Sequence, residues 1–248
     1  MQIVRSEKNP PRVTVMGEID FSACRRLRSE LNHASQDDCK ILEIDLSGVD
    51  FIDSSGIVVL LDTAKALRKQ GKELHVVMCS DNVYRVLFSC GVAEVLGVPS
   101  GGLRTDRNDY SGCGKRWLVS SFTVPASMTS PGIIRDRVSQ IISDLQLSDD
   151  DVADIKLAVG EAATNAFKYG CTESSQKIHI KCIADNCRLT IEITDPGCGF
   201  DRTAVCPPDF ANLPTGGMGI AIMEMIMDEV TFRVNDGMTV RMVKQLQN

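Results

Sequence analysis

Glu161 and Asn165 stand four residues apart in the run Gly160-Glu161-Ala162-Ala163-Thr164-Asn165-Ala166-Phe167-Lys168-Tyr169. On a helix that spacing stacks them one above the other, with Lys168 a turn further on. The pair sets a carboxylate able to take a proton beside an amide able to hold a hydrated cation. The same pair also occurs on ordinary solvated helix faces, so it needs company. Asp195 is the first companion: Asp195-Pro196-Gly197-Cys198-Gly199-Phe200 follows the alternation Leu189, Ile191, Ile193. A carboxylate thus leaves a sheet edge into a turn whose two glycines let backbone approach a ligand closely. The second is Gly216-Gly217-Met218-Gly219, opening an apolar-periodic helix with Ile222, Met225 and Ile226. Glycines there free amide donors to meet phosphate, although a plain turn explains either glycine stretch alone.

The elements that must position these groups follow from periodicity. Ser148, with Asp151 three residues on, caps a helix in which Ile155, Val159, Ala162 and Ala166 recur at helical spacing. That stripe faces a core and leaves Glu161 and Asn165 on a different face. Upstream, a strand over 117–124 ends at Pro125, and Ser130-Pro131 caps a helix to about Leu145. Downstream come strands over 177–184 and 188–194, a helix over 220–227, and strands over 230–234 and 239–244 around Asn235-Asp236-Gly237. Residues 201–215, with Pro207, Pro208 and Pro214, carry no regular period and are expected to form a lid.

The first part of the chain alternates strands and helices. An opening hairpin joins Ile3 and Val4 to 12–16, a helix runs from Ser22 to about Ala34, and a buried strand covers 41–46. Asp53-Ser54-Ser55-Gly56 then begins a helix carrying Ile57, Leu60, Leu61, Ala64 and Leu67, followed by Gly71, a strand over 74–79 and a short helix with Val83, Val86 and Leu87. This pattern implies an α/β sandwich with its last strands largely parallel. Residues 99–116 hold turn formers and almost no apolar residues and read as a linker between domains at 1–98 and 117–248.

Composition narrows the function classes. The chain has 248 residues, 43% of them hydrophobic, enough for two cores, and a net charge of -6 without a Lys/Arg cluster. That balance argues against a nucleic-acid surface and suits a basic protein partner. No apolar run approaches the ~18 residues of a membrane span, and a cytoplasmic location without membrane association is the expectation. Ten cysteines are scattered without a CxxC, and three histidines lie far apart, so neither a disulfide scaffold nor zinc spacing is read. Cys24, Cys79, Cys90 and Cys182 read as small core residues, and Cys198 as the one thiol in a glycine turn.

Taken in this order on these elements, the Glu161 to Tyr169 run, the Asp195 to Gly199 turn and the Gly216 to Gly219 stretch resemble the N, G1 and G2 boxes of the GHKL (Bergerat-fold) ATPases. Gly237-Met238-Thr239-Val240 is similar to that family's closing threonine strand. Two helices before the Asp-x-Gly-x-Gly turn and a short lid are similar to the anti-sigma-factor serine/threonine kinases within that superfamily. Over 1–98, Gly17-Glu18-Ile19-Asp20 and Phe51-Ile52-Asp53-Ser54-Ser55-Gly56 at a helix start resemble a STAS domain of the anti-sigma-factor antagonist type.

The resemblance implies that Asn165 holds Mg2+ against the ATP phosphates and that Asp195 accepts a hydrogen bond from the adenine amino group. It implies that Gly197, Gly199, Gly217 and Gly219 line the nucleotide, that Thr239 supports the adenine end, and that Lys168 and Tyr169 lie near phosphate. Glu161 would act as the base, and Ser54 rather than Ser55 would be the phosphoacceptor, although Asp-Ser-Ser-Gly also makes a good cap. A phosphate there is favoured by the helix amides and repelled by Asp53 and Asp20. Implied partners are a STAS-domain protein or the chain's own STAS domain, a sigma factor or another regulator, and a second copy in a homodimer. The family usually keeps antagonist and kinase on separate chains, and this fusion leaves the sigma factor open. Three alternatives stand beside the kinase. A sensor histidine kinase needs a phosphoacceptor histidine on a dimerising helix pair, and His33 has none. A non-catalytic ATP-gated switch is opposed by the intact Glu161, and a STAS scaffold is compatible with kinase activity.

Overall fold

The computed structural model describes residues 1–6, 10–36, 39–98, 118–143, 145, 147–185, 187–199 and 218–246. The chain divides into two compact units. The expected linker at 99–116, the lid at 201–215, Gly217 and the first strand residue Trp117 lie outside the described residues.

The first unit is a four-stranded sheet in the order β1-β2-β3-β4. Strand β1 (Gln2–Ser6) pairs antiparallel with β2 (Arg12–Ile19), as the hairpin pattern predicts. Beyond it β2, β3 (Ile41–Ile52) and β4 (Glu73–Cys79) run parallel, which requires helices in the connections. Those are α1 (Cys24–Ala34) and α2 (Ser54–Arg68), with α3 (Asp81–Ser89) after β4. Leu42, Ile44 and Leu46 on β3 and Ile57, Leu60 and Leu67 on α2 bury their side chains almost completely. Strand β3 continues six residues past the expected end, carrying Phe51 and Ile52 to the start of α2.

In the second unit five strands lie in the order β5-β6-β7-β9-β8, every neighbour antiparallel. They are β5 (Leu118–Pro125), β6 (Lys177–Ala184), β7 (Arg188–Asp195), β8 (Glu229–Asn235) and β9 (Gly237–Gln245). Alternation decides which face is covered: Ile178, Ile180 and Cys182 on β6 and Ile191 and Ile193 on β7 are buried. Against them pack α4 (Ser130–Ile142), α5 (Asp149–Asn165) and α6 (Met218–Ile226), with α5 in contact with both other helices.

Helix α5 begins as its sequence predicts, Ser148 Oγ accepting from the Asp151 amide at 3.1 Å. At its other end the helix does not continue to Tyr169. It gives way at Ala166–Gly170 to a π-helical turn. The expectation for α4 is also corrected. Its cap residue is Thr129, which makes no side-chain cap bond, while the buried Ser130 hydroxyl donates to the Pro125 carbonyl at 2.5 Å. A nearby strand-end carbonyl outcompetes the helix for that hydroxyl, and α4 ends at Ile142 rather than Leu145. Among the cysteines expected in cores, Cys90 and Cys182 are buried, whereas Cys24 and Cys79 are half-buried at element ends. No helix among the described residues is long and apolar enough to cross a membrane.

Candidate functional site

The end of α5, the π-helical turn, the exit of β7 and the strands β8 and β9 enclose a cavity of about 360 Å³. Asn165, Tyr169, Asp195 and Gly199 line it, together with Gly170, Phe232, Met238 and Val240, which sequence reasoning did not assign. Its walls are thus largely apolar, with the side chains of Asn165, Tyr169 and Asp195 as polar groups.

Asp195 owes its place to register. Leu189, Ile191 and Ile193 point into the core, so Asp195, two residues on, points the same way and is 5% exposed. The Gly197 amide donates to its Oδ1 at 2.8 Å. Burial nevertheless pushes the Asp195 carboxyl above its ordinary value, with the Gly197 amide opposing. Two glycines make room for it. A Cβ on Gly197 would stand 2.7 Å from Asp195 Oδ1 and 2.7 Å from the Gly170 Cα, and a Cβ on Gly170 would overlap the Asp195 carboxyl group itself. The π-helical turn therefore sets Gly170 against Asp195. Widened turns of this kind are frequent at functional sites. The signal in the sequence was a glycine closing the Lys168-Tyr169 run.

The remaining candidates fall at different distances from the cavity. Thr239 Oγ1 lies 2.9 Å from Thr194 Oγ1 across the β7 and β9 ladder, one residue from Asp195 and Met238. Lys168 is exposed, and Tyr169 is 75% exposed while lining the cavity. Gly219 is buried in the first turn of α6. Glu161, one turn before Asn165, is only 1% exposed and is not among the lining residues. The face that carries Glu161 is therefore covered rather than solvated. No cluster of three or more His, Cys, Asp or Glu side chains suited to a metal occurs among the described residues.

In the first unit the cap of α2 is Asp53 and not a serine. Its Oδ1 accepts from the Gly56 amide and its Oδ2 from the Phe21 amide, both at 2.9 Å. Ser54 is the first residue of α2 and half-buried, and Ser55 follows in the same state. Nearby, Asp20 accepts from the Ser22 hydroxyl at 2.6 Å and from the Ala23 amide at 3.2 Å.

Comparisons with known proteins bear on both units. A STAS domain family model matches residues 4–105, and the histidine kinase-like ATPase domain model matches residues 124–244. The serine-protein kinase RsbW of Bacillus licheniformis (strain ATCC 14580) is 35% identical over 132 residues, 49% of this chain and 82% of that protein. RsbW of Staphylococcus aureus (strain JH9) is 33% identical over 136 residues, 50% of this chain and 84% of that protein. Among solved structures, the RsbU and RsbW domains of a Mycobacterium tuberculosis protein align with a TM-score of 0.40 at 17% identity. That alignment covers 53% of this chain and 33% of the other, too distant to inform the site. The identity to the curated kinases, over more than four-fifths of their length, decides the matter: this chain belongs to the RsbW family of histidine kinase-like ATPase domains, joined here to a STAS domain.

Proposed function

We propose that this chain is an ATP-dependent protein serine kinase of the anti-sigma-factor type. It transfers the γ-phosphoryl group of ATP to a STAS-domain serine, either its own Ser54 or the corresponding serine of another chain. The observation that supports this most is the convergence of Asn165 and Asp195 on one largely apolar cavity of about 360 Å³. A purine ring suits walls such as Ile220, Met238 and Val240, and a carboxylate at their edge accepts from an exocyclic amino group. Gly197 holds that carboxylate, Gly199, Gly217 and Gly219 line the nucleotide, and Thr239 steadies the adenine end through Thr194.

The donor set fits Mg2+. A small hard cation takes few protein ligands and completes its shell with phosphate oxygens and water, so the Asn165 amide oxygen at the cavity wall suffices. Bound there, it would neutralise phosphate charge. Lys168 and Tyr169 flank the same end. Glu161, buried one turn before Asn165 and off the cavity wall, would accept the proton of the attacking serine hydroxyl once its cover opens, a contribution of about 100-fold to 10,000-fold.

In this reading residues 1–98 form the STAS domain, 99–116 the linker and 117–248 the kinase domain. A linker of that length sets an effective concentration of order millimolar between its ends. The kinase is then occupied by its own STAS domain, and phosphate on Ser54 releases it for a sigma factor or another regulator. The cap supports Ser54 as acceptor: Asp53 fills the Gly56 amide, so the serine hydroxyl is not needed to cap α2. A second copy would pair through the kinase domain.

The test is to incubate the full chain with Mg-ATP and map phosphate by mass spectrometry. Phosphate on Ser54, absent in Glu161→Ala and Ser54→Ala, is the expected result. ATP bound without any phosphate transfer to this chain or to a separate STAS protein would overturn the kinase and leave an ATP-gated binding module.

A further inference from the structure

Two cysteines that the proposed chemistry does not use stand at the glycines enclosing Asp195. Cys171 follows Gly170 directly, and Cys198 sits between Gly197 and Gly199. The two glycine backbones touch: a Cβ on Gly197 would lie 2.7 Å from the Gly170 Cα and 3.1 Å from its carbonyl oxygen. Each cysteine is one residue along from that contact, so their Cα atoms lie within about 12 Å, at ~3.8 Å per residue. A disulfide asks for roughly 4 to 7 Å. Cys198 is the accessible member of the pair, its thiol exposed and its sulfur 3.9 Å from the Gly199 carbonyl oxygen, so closing the remaining distance falls to its turn.

We infer that Cys171 and Cys198 are a redox-modified pair: a peroxide joins them in a reversible disulfide that distorts the cavity and lowers its affinity for nucleotide. The regulatory half rests on the reading of that cavity as a nucleotide site. The two thiols differ in the way such a pair requires. Cys198 is exposed, whereas burial and the Asp195 carboxylate keep the half-buried Cys171 protonated. The Cys198 thiolate attacks one peroxide oxygen, breaking the O–O bond and expelling hydroxide, and becomes a sulfenic acid. The Cys171 sulfur then displaces that oxygen, which leaves as water with the Cys171 proton. In total two thiols lose two electrons and two protons, and one peroxide becomes two waters.

The bond acts on nucleotide through Gly197. Drawing Cys198 toward Cys171 pulls on the neighbouring amide that holds Asp195 Oδ1 at 2.8 Å. The purine acceptor then loses its orientation. Cys182 provides an internal contrast, because its thiol is fully buried and pushed up to about 11.

The experiment treats the reduced full chain with hydrogen peroxide, alkylates the remaining thiols and maps peptides under non-reducing conditions. A peptide pair joined through Cys171 and Cys198, lost on adding dithiothreitol, is expected. With it, affinity for a fluorescent ATP analogue should fall about tenfold and return on reduction. In Cys171→Ser oxidation should stop at a sulfenic acid on Cys198, trapped by dimedone. Two alkylated thiols after peroxide, or Cys198 joined to another cysteine, would overturn the pair. A joined pair with unchanged analogue affinity would overturn its regulatory effect. Analogue binding by the reduced chain, measured first, judges the nucleotide reading separately from the cross-link.

Discussion

Each unit carries a buried aspartate at the carboxyl end of a central strand, and the two are held differently. Asp53, 2% exposed at the end of β3, gives one oxygen to the Gly56 amide and the other to the Phe21 amide. It closes the start of α2 and ties it to the turn after β2. Asp195, 5% exposed at the end of β7, takes a backbone amide on Oδ1 from Gly197, and its carboxyl lines a cavity. A carboxylate whose two oxygens both accept backbone amides serves the fold. One with acceptor capacity directed into a cavity serves a ligand, and the burial that makes it useful also costs it stability.

Breaking the first aspartate should give the larger effect. Asp53→Ala removes a cap worth about 1 kcal/mol and a charge-assisted bond to the Phe21 amide worth about 1.5 to 3 kcal/mol, for a total loss of about 2.5 to 4 kcal/mol in the first unit. Hydrogen exchange on peptides from 41–68 should speed up accordingly, while affinity for an ATP analogue stays unchanged. Unchanged exchange would mean that Asp53 does not hold the start of α2 to the turn after β2.

Next in size is Gly170→Ala. The added methyl collides with the Asp195 carboxyl, so either the carboxyl leaves the Gly197 amide or the π-helical turn opens. Analogue affinity should drop about 10-fold to 100-fold, roughly 1.4 to 2.7 kcal/mol. Exchange in the first unit should not move. Wild-type affinity in this variant would separate Gly170 from the site.

How much of this was legible beforehand depended on whether the cause was local. The Ser148 cap, the alternation that buries Ile191 and Ile193, and Asp195 at the strand exit are all local consequences of residue type. The π-helical turn at Ala166–Gly170 was not legible, because a widened turn leaves the helical spacing of apolar residues almost unaltered. Gly170 and Gly197 meet across 27 positions, and only folded strands show that one makes room for the other. Phe232 falls inside the strand expected over 230–234, and its place on the cavity wall is set by β8 lying beside β9. Ser130 was misassigned as a cap because the Pro125 carbonyl that takes its hydroxyl comes from the preceding strand.

The smallest effect is a slope in pH, and it sharpens the contrast most. Burial raises the folded-state pKa of Asp195 above its ordinary 3.8, so in that window the folded unit binds more proton than the unfolded chain. By linkage, the favourable contribution of this carboxyl is complete below 3.8 and is lost as pH rises through the raised value. Asp195→Asn should therefore flatten the stability of the unliganded second unit as pH rises above about 3.8 and leave it slightly more stable once the wild-type carboxyl is ionised. The same substitution should weaken analogue binding, because an amide presented to an amino group can turn a donor toward it. In the wild type, binding should fade in the opposite sense, as pH drops and the acceptor carboxylate is protonated. Hydrogen exchange on peptides from 188–199 and analogue titrations over that range measure the two slopes. An asparagine variant that binds as well as the wild type would show that the cost of burying Asp195 is not tied to a ligand.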